Sequence, residues 1–306
     1  MRRRDLLAAA LGALTLRGAS MRLTRERLSV LTDEVGTLDE AIAFAHQYKL
    51  KWLEVRAYRP FSTAQLKEMR KKLDDAGLGV SFYNSALLKF TMPGTVAIAK
   101  EDFYENLYAK EGLTPAKLYA QRNDVLNQTI EAAQALNVRK VRGFSFWRVK
   151  DPATMLPKLV EAYTGMVNMA ANAGITICIE NEFSTNTGTT AETVALLDKV
   201  PGLMLNWDPQ NSVGLGEMDV FPKGYATIPK ARLLNVQVKA EGLLGKDWGG
   251  DKEAKLVDWE GIFRALERDN FAGMIGLETH TLKPQAINLP ASHRSMKRML
   301  ELAGEM

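Results

Sequence analysis

The sequence predicts a single-domain (β/α)8 barrel, on three observations. After residue 25, eight short β-rich runs alternate with amphipathic helical stretches. Such alternation implies right-handed parallel βαβ units, and eight of them close most naturally into a barrel. No Pro/Gly/Ser-rich linker or break in composition divides the 306 residues, a length that suits one barrel of about 250 residues plus extras. No glycine-rich turn follows the first run, so the alternative, an open doubly wound sheet, lacks its usual mark.

The elements follow in order. LSVLTDE (28–34) is the first strand, followed by a helix over about 38–48. WLEVR (52–56) precedes a helix from Thr63 to Ala76, for which the Ser62/Thr63 region offers N-caps. GVSFYN (79–84) is the third strand. A long connection, 85–114, contains Pro93 and Gly94 and leads into a helix over 115–136. KVRGFSF (140–146) is strand four, with a helix over about 153–173. ITICIENEF (175–183) is strand five, with its helix over 191–200. GLMLNWD (202–208) is strand six, followed by a poorly defined helix around 218–227. LLNVQVK (233–239) is strand seven. A loop containing GKDWGGD then reaches the helix over 258–269. GMIGLET (273–279) is strand eight, and a final helix spans about 290–303.

Composition narrows the function. With 46% hydrophobic and 25% charged residues the chain reads as a soluble globular protein. The formal charge is +4, and Arg2, Arg3, Arg4 and Arg17 against Asp5 place +3 of it in the first 20 residues. The nearly neutral remainder gives no electrostatic case for nucleic acid. Residues 1–20 join a basic start to an apolar stretch, Leu6 to Leu16, too short to span a bilayer. With Arg3–Arg4 before Asp5-Leu6-Leu7, the segment resembles a twin-arginine signal. Periplasmic export without a stable membrane anchor is the expectation; a true start at Met21 and a cytoplasmic protein is the alternative. Cys178 is the only cysteine, so an intrachain disulfide and a cysteine zinc site are excluded. It reads as a small core hydrophobe.

Chemistry is expected at the C-terminal ends of barrel strands, and several strands end in polar residues. Strand five ends in Glu180, strand six in Asp208 and strand eight in Glu278, while Gln237 lies near the end of strand seven. Clustered carboxylates raise one another's pKa, and a divalent cation removes that penalty. Oxygen ligands favour a hard ion, Mn2+ or Mg2+. The competing explanation is that each acid caps a helix or pairs with Lys239, Arg142 or Arg148.

The ordered set ENE (180–182), WDPQN (207–211), VQVK (236–239) and LET (277–279) resembles the xylose isomerase-like TIM-barrel superfamily of sugar phosphate isomerases and epimerases. The stretches SVLTDEVGTLDEAIAFAHQYKLKWLEVR and DWEGIFRALERDNFAGMIGLET are similar to its opening and closing units, and the resemblance covers roughly 28–304. It implies one divalent metal held by Glu180, Asp208 and Glu278, with Gln237 in the place of the usual histidine, and proton exchange with substrate by the two glutamates. Gln237 is the departure, since an amide oxygen is a weaker, neutral ligand.

Further candidates surround this set. Lys239, two residues beyond Gln237, could hold a substrate oxygen or act as an acid; a surface pair with Glu241 is its alternative. At the mouth of the barrel Lys239→Met should weaken catalysis more than stability. Asn211 matches a position that contacts sugar hydroxyls. Glu54 and Arg56, sharing a face, are expected to pair in the mouth or bind substrate. Arg142, Asn181, Glu182 and His280 are placed at the mouth too, and Lys89 is a further candidate. His46 and His293 fall on outer helices and read as structural. Trp147, Trp207 and Trp248 could stack on a sugar ring, although Trp207 suits the core.

The reading is an isomerase or epimerase that abstracts a proton next to the carbonyl of a sugar or keto-sugar. β-Elimination of a keto-glycoside shares that first step. Export would argue against a phosphorylated substrate. A DNA endonuclease of the same superfamily needs a histidine-rich zinc site, which three histidines do not supply. A barrel that has lost its metal and binds a carbohydrate or protein is the non-enzymatic alternative, and a homo-oligomer is compatible with all of these.

Overall fold

The computed structural model describes residues 22–245, 257–281 and 285–306. The expected export segment, residues 1–20, and Trp248 lie outside the described residues. Strands β1 (Leu28–Leu31), β2 (Trp52–Ala57), β3 (Gly79–Leu87), β4 (Lys140–Gly143), β5 (Thr176–Glu180), β6 (Met204–Trp207), β7 (Leu233–Val238) and β8 (Met274–Leu277) pair in chain order. They form a closed barrel, and its last seam is the parallel pairing of Ser29 with Gly276 and Val30 with Leu277 across β1 and β8. Closure leaves no unpaired sheet edge among these strands.

Side chains alternate along the strands, so each strand carries two sets of residues. Val30, Leu53, Val55, Val141, Ile177, Ile179, Leu205, Trp207, Val236, Val238, Ile275 and Leu277 belong to one large buried apolar core. Many of their neighbours in the alternation, among them Ser29, Glu54, Asn206, Asn235 and Gln237, are polar and bond to one another across the barrel interior, as described below. Three helices open with reciprocal capping boxes: Thr37 with Glu40 before Leu38–Gln47, Ser62 with Gln65 before Thr63–Asp75, and Thr189 with Glu192 before Thr190–Lys199.

The structure departs from the predicted elements where tertiary contacts redirect the chain. β1 ends at Leu31, and Thr32–Val35 form a helical turn, whose Glu34 accepts hydrogen bonds from Arg56 Nη2 (3.0 Å) and the His280 N–H (2.8 Å). β4 stops at Gly143. Beyond it the Phe144, Phe146 and Trp147 N–H groups donate to the carbonyls of Leu87, Leu88 and Phe90 (2.8–2.9 Å). The connection 85–114 holds a helix, Asp102–Lys110, with Tyr104 and Tyr108 buried. The expected helix over 115–136 is two, Pro115–Ala120 and Arg122–Ala135, which meet at Gln121 (ψ 1°). The helix expected around 218–227 is two short turns, Val220–Gly224 and Tyr225–Thr227, with an extended Phe221. The final helix begins earlier than expected, at Gln285.

The two ends of the described chain meet. Arg22 Nη2 donates to the Gly304 carbonyl (3.0 Å), and Arg25 binds the Glu305 carboxylate (3.1 Å) and its carbonyl (2.8 Å). No helix among the described residues is long and apolar enough to cross a membrane.

Candidate active site

The barrel interior is polar where such barrels usually stack branched aliphatic side chains. Its deeper set centres on Glu54, which has no solvent exposure. Its two oxygens accept from four neutral donors: Ser29 Oγ (3.0 Å), Asn84 Nδ2 (2.9 Å), Asn235 Nδ2 (3.2 Å) and Gln237 Nε2 (2.7 Å). Asn235 also donates to Asn206 Oδ1 (3.1 Å), and Asn206 donates to Glu180 Oε2 (3.1 Å). A continuous hydrogen-bonded path therefore runs from Glu54 to the end of β5. Gly276 faces this carboxylate, and a Cβ there would stand 2.0 Å from Glu54 Oε1, so any larger residue would have to displace the Glu54 carboxylate from its place.

The upper set gathers the three expected carboxylates. Oxygens of Glu180, Asp208 and Glu278 lie within 4.8 Å of one another, and all three residues are buried. Each is paired with one cation: Glu180 with Arg142 (2.9 Å), Asp208 with Lys239 (3.1 Å) and Glu278 with Arg56 (2.5 Å). Burial pushes the Glu180 carboxyl up to about 8, against the pull of Arg142, and Glu278 adds to the rise. Burial likewise pushes Asp208 up to about 6 despite Lys239. For Glu278 burial acts in the same direction, but Arg56 and then Lys239 outweigh it and hold the group well below the ordinary carboxylate range. Two carboxyls of one cluster thus prefer opposite protonation states. Burial and the nearby Lys239 push the His280 imidazole down to about 4, so it is neutral at neutral pH.

Above these residues opens a cavity of about 340 Å3, lined by Arg56, Lys89, Arg142, Glu182, Glu278 and His280 among others. Tyr58, Phe103 and Tyr104 form an aromatic wall, with ring centroids 4.7–5.9 Å apart. Lys89 is buried on that wall, 4.3 Å from the Phe144 ring centre and 2.7 Å from Glu101. Asp33, Glu34, Tyr58, Glu101, Phe103, Tyr104 and Asn288 line the cavity as well. The sequence reading passed over these. Asp33 and Glu34 stood in a stretch read as strand, Phe103 and Tyr104 in one read as loop, and Asn288 before the expected start of the last helix.

The structure corrects several expectations. Glu54 does not pair with Arg56 or reach the cavity; Arg56 instead joins Glu278, Glu34 and Asp33. Asn181 does not line the mouth. Its amide clamps the end of β6, donating to the Asp208 carbonyl (2.6 Å) and accepting from the Asp208 N–H (2.7 Å). Asn211 lies below the cavity, donating to the Asn181 carbonyl (2.9 Å) and accepting from Lys239 Nζ (2.6 Å). Lys239 is 4% exposed, not a surface residue. Trp147 and Trp207 are fully buried, their indole N–H groups on Glu105 (2.7 Å) and Thr190 (3.3 Å), so neither offers a sugar platform. His46 and His293 bond to the Ala76 carbonyl and the Tyr48 hydroxyl on outer helices.

The donor set suits a divalent cation. Asp208 Oδ2, Gln237 Oε1 and Glu278 Oε2 are buried acceptors with no hydrogen-bond donor aligned on them, although the Lys239 ammonium approaches the first. Lys239 offsets that loss at Asp208 Oδ2, whereas at Gln237 Oε1 and Glu278 Oε2 such an orphan costs about 1–3 kcal/mol. All three acceptors belong to residues expected as ligands, and Asp208 and Gln237 follow Trp207 and Val236, the last residues paired between β6 and β7. An all-oxygen set of this kind fits a hard ion.

The xylose isomerase-like TIM barrel family matches residues 42–302. No curated protein sequence matches the chain. Among solved structures, a D-allulose 3-epimerase from Methylomonas sp. in complex with D-allulose is 20% identical, with a TM-score of 0.62 over 94% of this chain and 96% of that one. A 3-keto-D-glucoside 4-epimerase from E. coli is 10% identical, with a TM-score of 0.59 over 89% and 98%. The IOLI protein with a bound zinc atom is 11% identical, with a TM-score of 0.62 over 91% and 98%. At these identities the fold is what is shared.

Proposed function

The chain belongs to the xylose isomerase-like TIM barrel family, and from that premise we propose that it is a divalent-metal-dependent isomerase or epimerase acting on a sugar or keto-sugar. The observation that carries the reading is the convergence of Glu180, Asp208 and Glu278 beneath a polar cavity walled on one side by aromatic rings. Glu180, Asp208 and Glu278, with the Gln237 oxygen, would hold one Mn2+ or Mg2+. Such an ion, when bound, polarises a substrate carbonyl and the hydroxyl beside it. Glu180 and Glu278 would move the proton alpha to the carbonyl, one withdrawing it and the other returning one. Arg142 holds Glu180 in place and Lys239 holds Asp208, and both present positive charge where an enediolate develops. Tyr58, Phe103 and Tyr104 offer faces for a sugar ring, and Glu182 and His280 offer polar atoms for its hydroxyls. The allulose and keto-glucoside epimerases that share the fold act on substrates of this class.

One observation favours a second reading. Each carboxylate already has a cation of its own, as a barrel that binds a carbohydrate without metal would require. The two are separated by incubating Mn2+-loaded protein with ketoses and 3-keto-glycosides in D2O and following hydrogen exchange by NMR. Exchange in wild type that falls about 10²–10⁴-fold in Glu278→Gln supports the enzyme. Sugar binding with neither exchange nor bound metal supports the metal-free barrel, and elimination products would mark a keto-glycoside lyase.

A further inference from the structure

Gln237 presents a problem that only its surroundings solve. A side-chain amide has two nearly isosteric ends, one a donor and one an acceptor, and only the oxygen can face a cation. The Nε2 end is spoken for, since it donates to Glu54 Oε2 at 2.7 Å. The Oε1 end is buried and has no donor. Were the amide turned over, its oxygen would face a Glu54 oxygen at that same distance, two acceptors in a solvent-free interior, and the Nε2 group would point at the carboxylate cluster.

Glu54 is itself held from every side. Ser29, Asn84 and Asn235 fix its two oxygens, and Gly276 leaves the space that it fills. Its place in the fold therefore does not depend on Gln237. A fully buried carboxylate that, among the described residues, is hydrogen-bonded by neutral donors and makes no ion pair is expensive, which makes it an odd choice for packing alone. None of its contacts is to the cavity, so substrate does not explain it either.

We infer that Glu54 is a positioning residue: it locks the Gln237 amide with its oxygen turned toward Glu180, Asp208 and Glu278, and so makes a neutral side chain a usable fourth ligand. The inference rests on the metal reading above. It also accounts for an amide standing where the family resemblance leads one to expect histidine, because an amide becomes a directed ligand only when its nitrogen is anchored. Glu54 would serve Gln237 as an outer-shell carboxylate serves a ligating imidazole.

The test is Mn2+ affinity, read from the loss of the free-ion EPR signal on titration, in wild type, Glu54→Gln, Gln237→Ala and the double variant, with thermal unfolding recorded for each. In Glu54→Gln the new amide has a single accepting oxygen for four donors, so the Gln237 amide loses its anchor. Glu54→Gln is expected to weaken Mn2+ binding about 10–100-fold while still unfolding cooperatively. Gln237→Ala should cost a similar factor, and the double variant no more than Gln237→Ala alone. Should Glu54→Gln not fold, Glu54→Asp, which keeps the carboxylate but withdraws it by one carbon–carbon bond, enters the same comparison. Wild-type affinity in a folded Glu54 variant overturns the inference, as does a double variant whose loss is the product of the two single losses. A wild-type chain that binds neither Mn2+ nor Mg2+ overturns the metal reading and this inference with it.

Discussion

Lys239 and Asp208 are 3.1 Å apart, with side chains 5% and 0% exposed, so removing either leaves the other as an uncompensated buried charge. Breaking such a pair from one side costs roughly 3–5 kcal/mol. Lys239→Met should therefore lower stability as well as turnover, contrary to what its place at the mouth of the barrel led us to expect. Adding Asp208→Asn to Lys239→Met should recover part of the lost stability. Denaturant unfolding of the two variants checks this, and equal stability of Lys239→Met and wild type would show that the pair is idle. The three acids were legible in the sequence because each ends an apolar run, although Asp208 also caps the helix that follows it and each acid meets a cation. Glu54 was misplaced for a related reason. One residue separates it from Arg56, and that spacing gives the shared face but not the depth.

At the scale of elements, one helix announced itself by its cap, and the short turns did not. The Ser62 cap was legible, and the structure adds its reciprocal bond with Gln65. The helix Asp102–Lys110 was not, because its buried face is two tyrosines four apart, Tyr104 and Tyr108, in place of an aliphatic stripe. The Thr189 box carries a pH dependence. Glu192 receives the Thr189 N–H (3.0 Å) and both Arg148 guanidinium nitrogens (2.7 and 3.0 Å). Partial burial opposes ionisation, but Arg148 and Thr189 outweigh it and lower the carboxyl below its ordinary 4.5. A carboxyl lowered by folding stabilises the native state above the unfolded value and loses that contribution as pH falls through the folded one. Glu192→Gln should cost about 1 kcal/mol at pH 7, and the gap from wild type should close as the pH falls below 4.5. Melting temperatures across that range decide it, and a gap independent of pH would mean that shape, not charge, holds the box.

For the molecule as a whole, alternation of strand and helix was enough to give the barrel, whereas its polar interior was hidden. Asn206 and Asn235 were passed over inside their strands, and nothing local reveals that they meet each other, or that Asn235 meets Glu54, across the barrel. That meeting depends on shear between strands far apart in sequence. The contact between Arg22, Arg25 and residues 304–305 has a consequence for topology. The ends of the described chain, residues 22 and 306, are close enough to be spliced by a short linker, so the order in which the eight units occur in the polypeptide is separable from their order around the barrel. A circular permutant running from residue 174 to 306, across a linker to residue 22 and on to 172 would break the chain at the turn between the helix Leu156–Asn172 and β5. That turn precedes a strand, so it lies at the end of the barrel away from the carboxylates. The permutant is expected to unfold cooperatively and to bind Mn2+ as the unpermuted chain does, as calorimetry would show. A permutant that folds but has lost the ion would mean that continuity of the chain through β4 and β5, and not the closed ring alone, sets the geometry at the mouth.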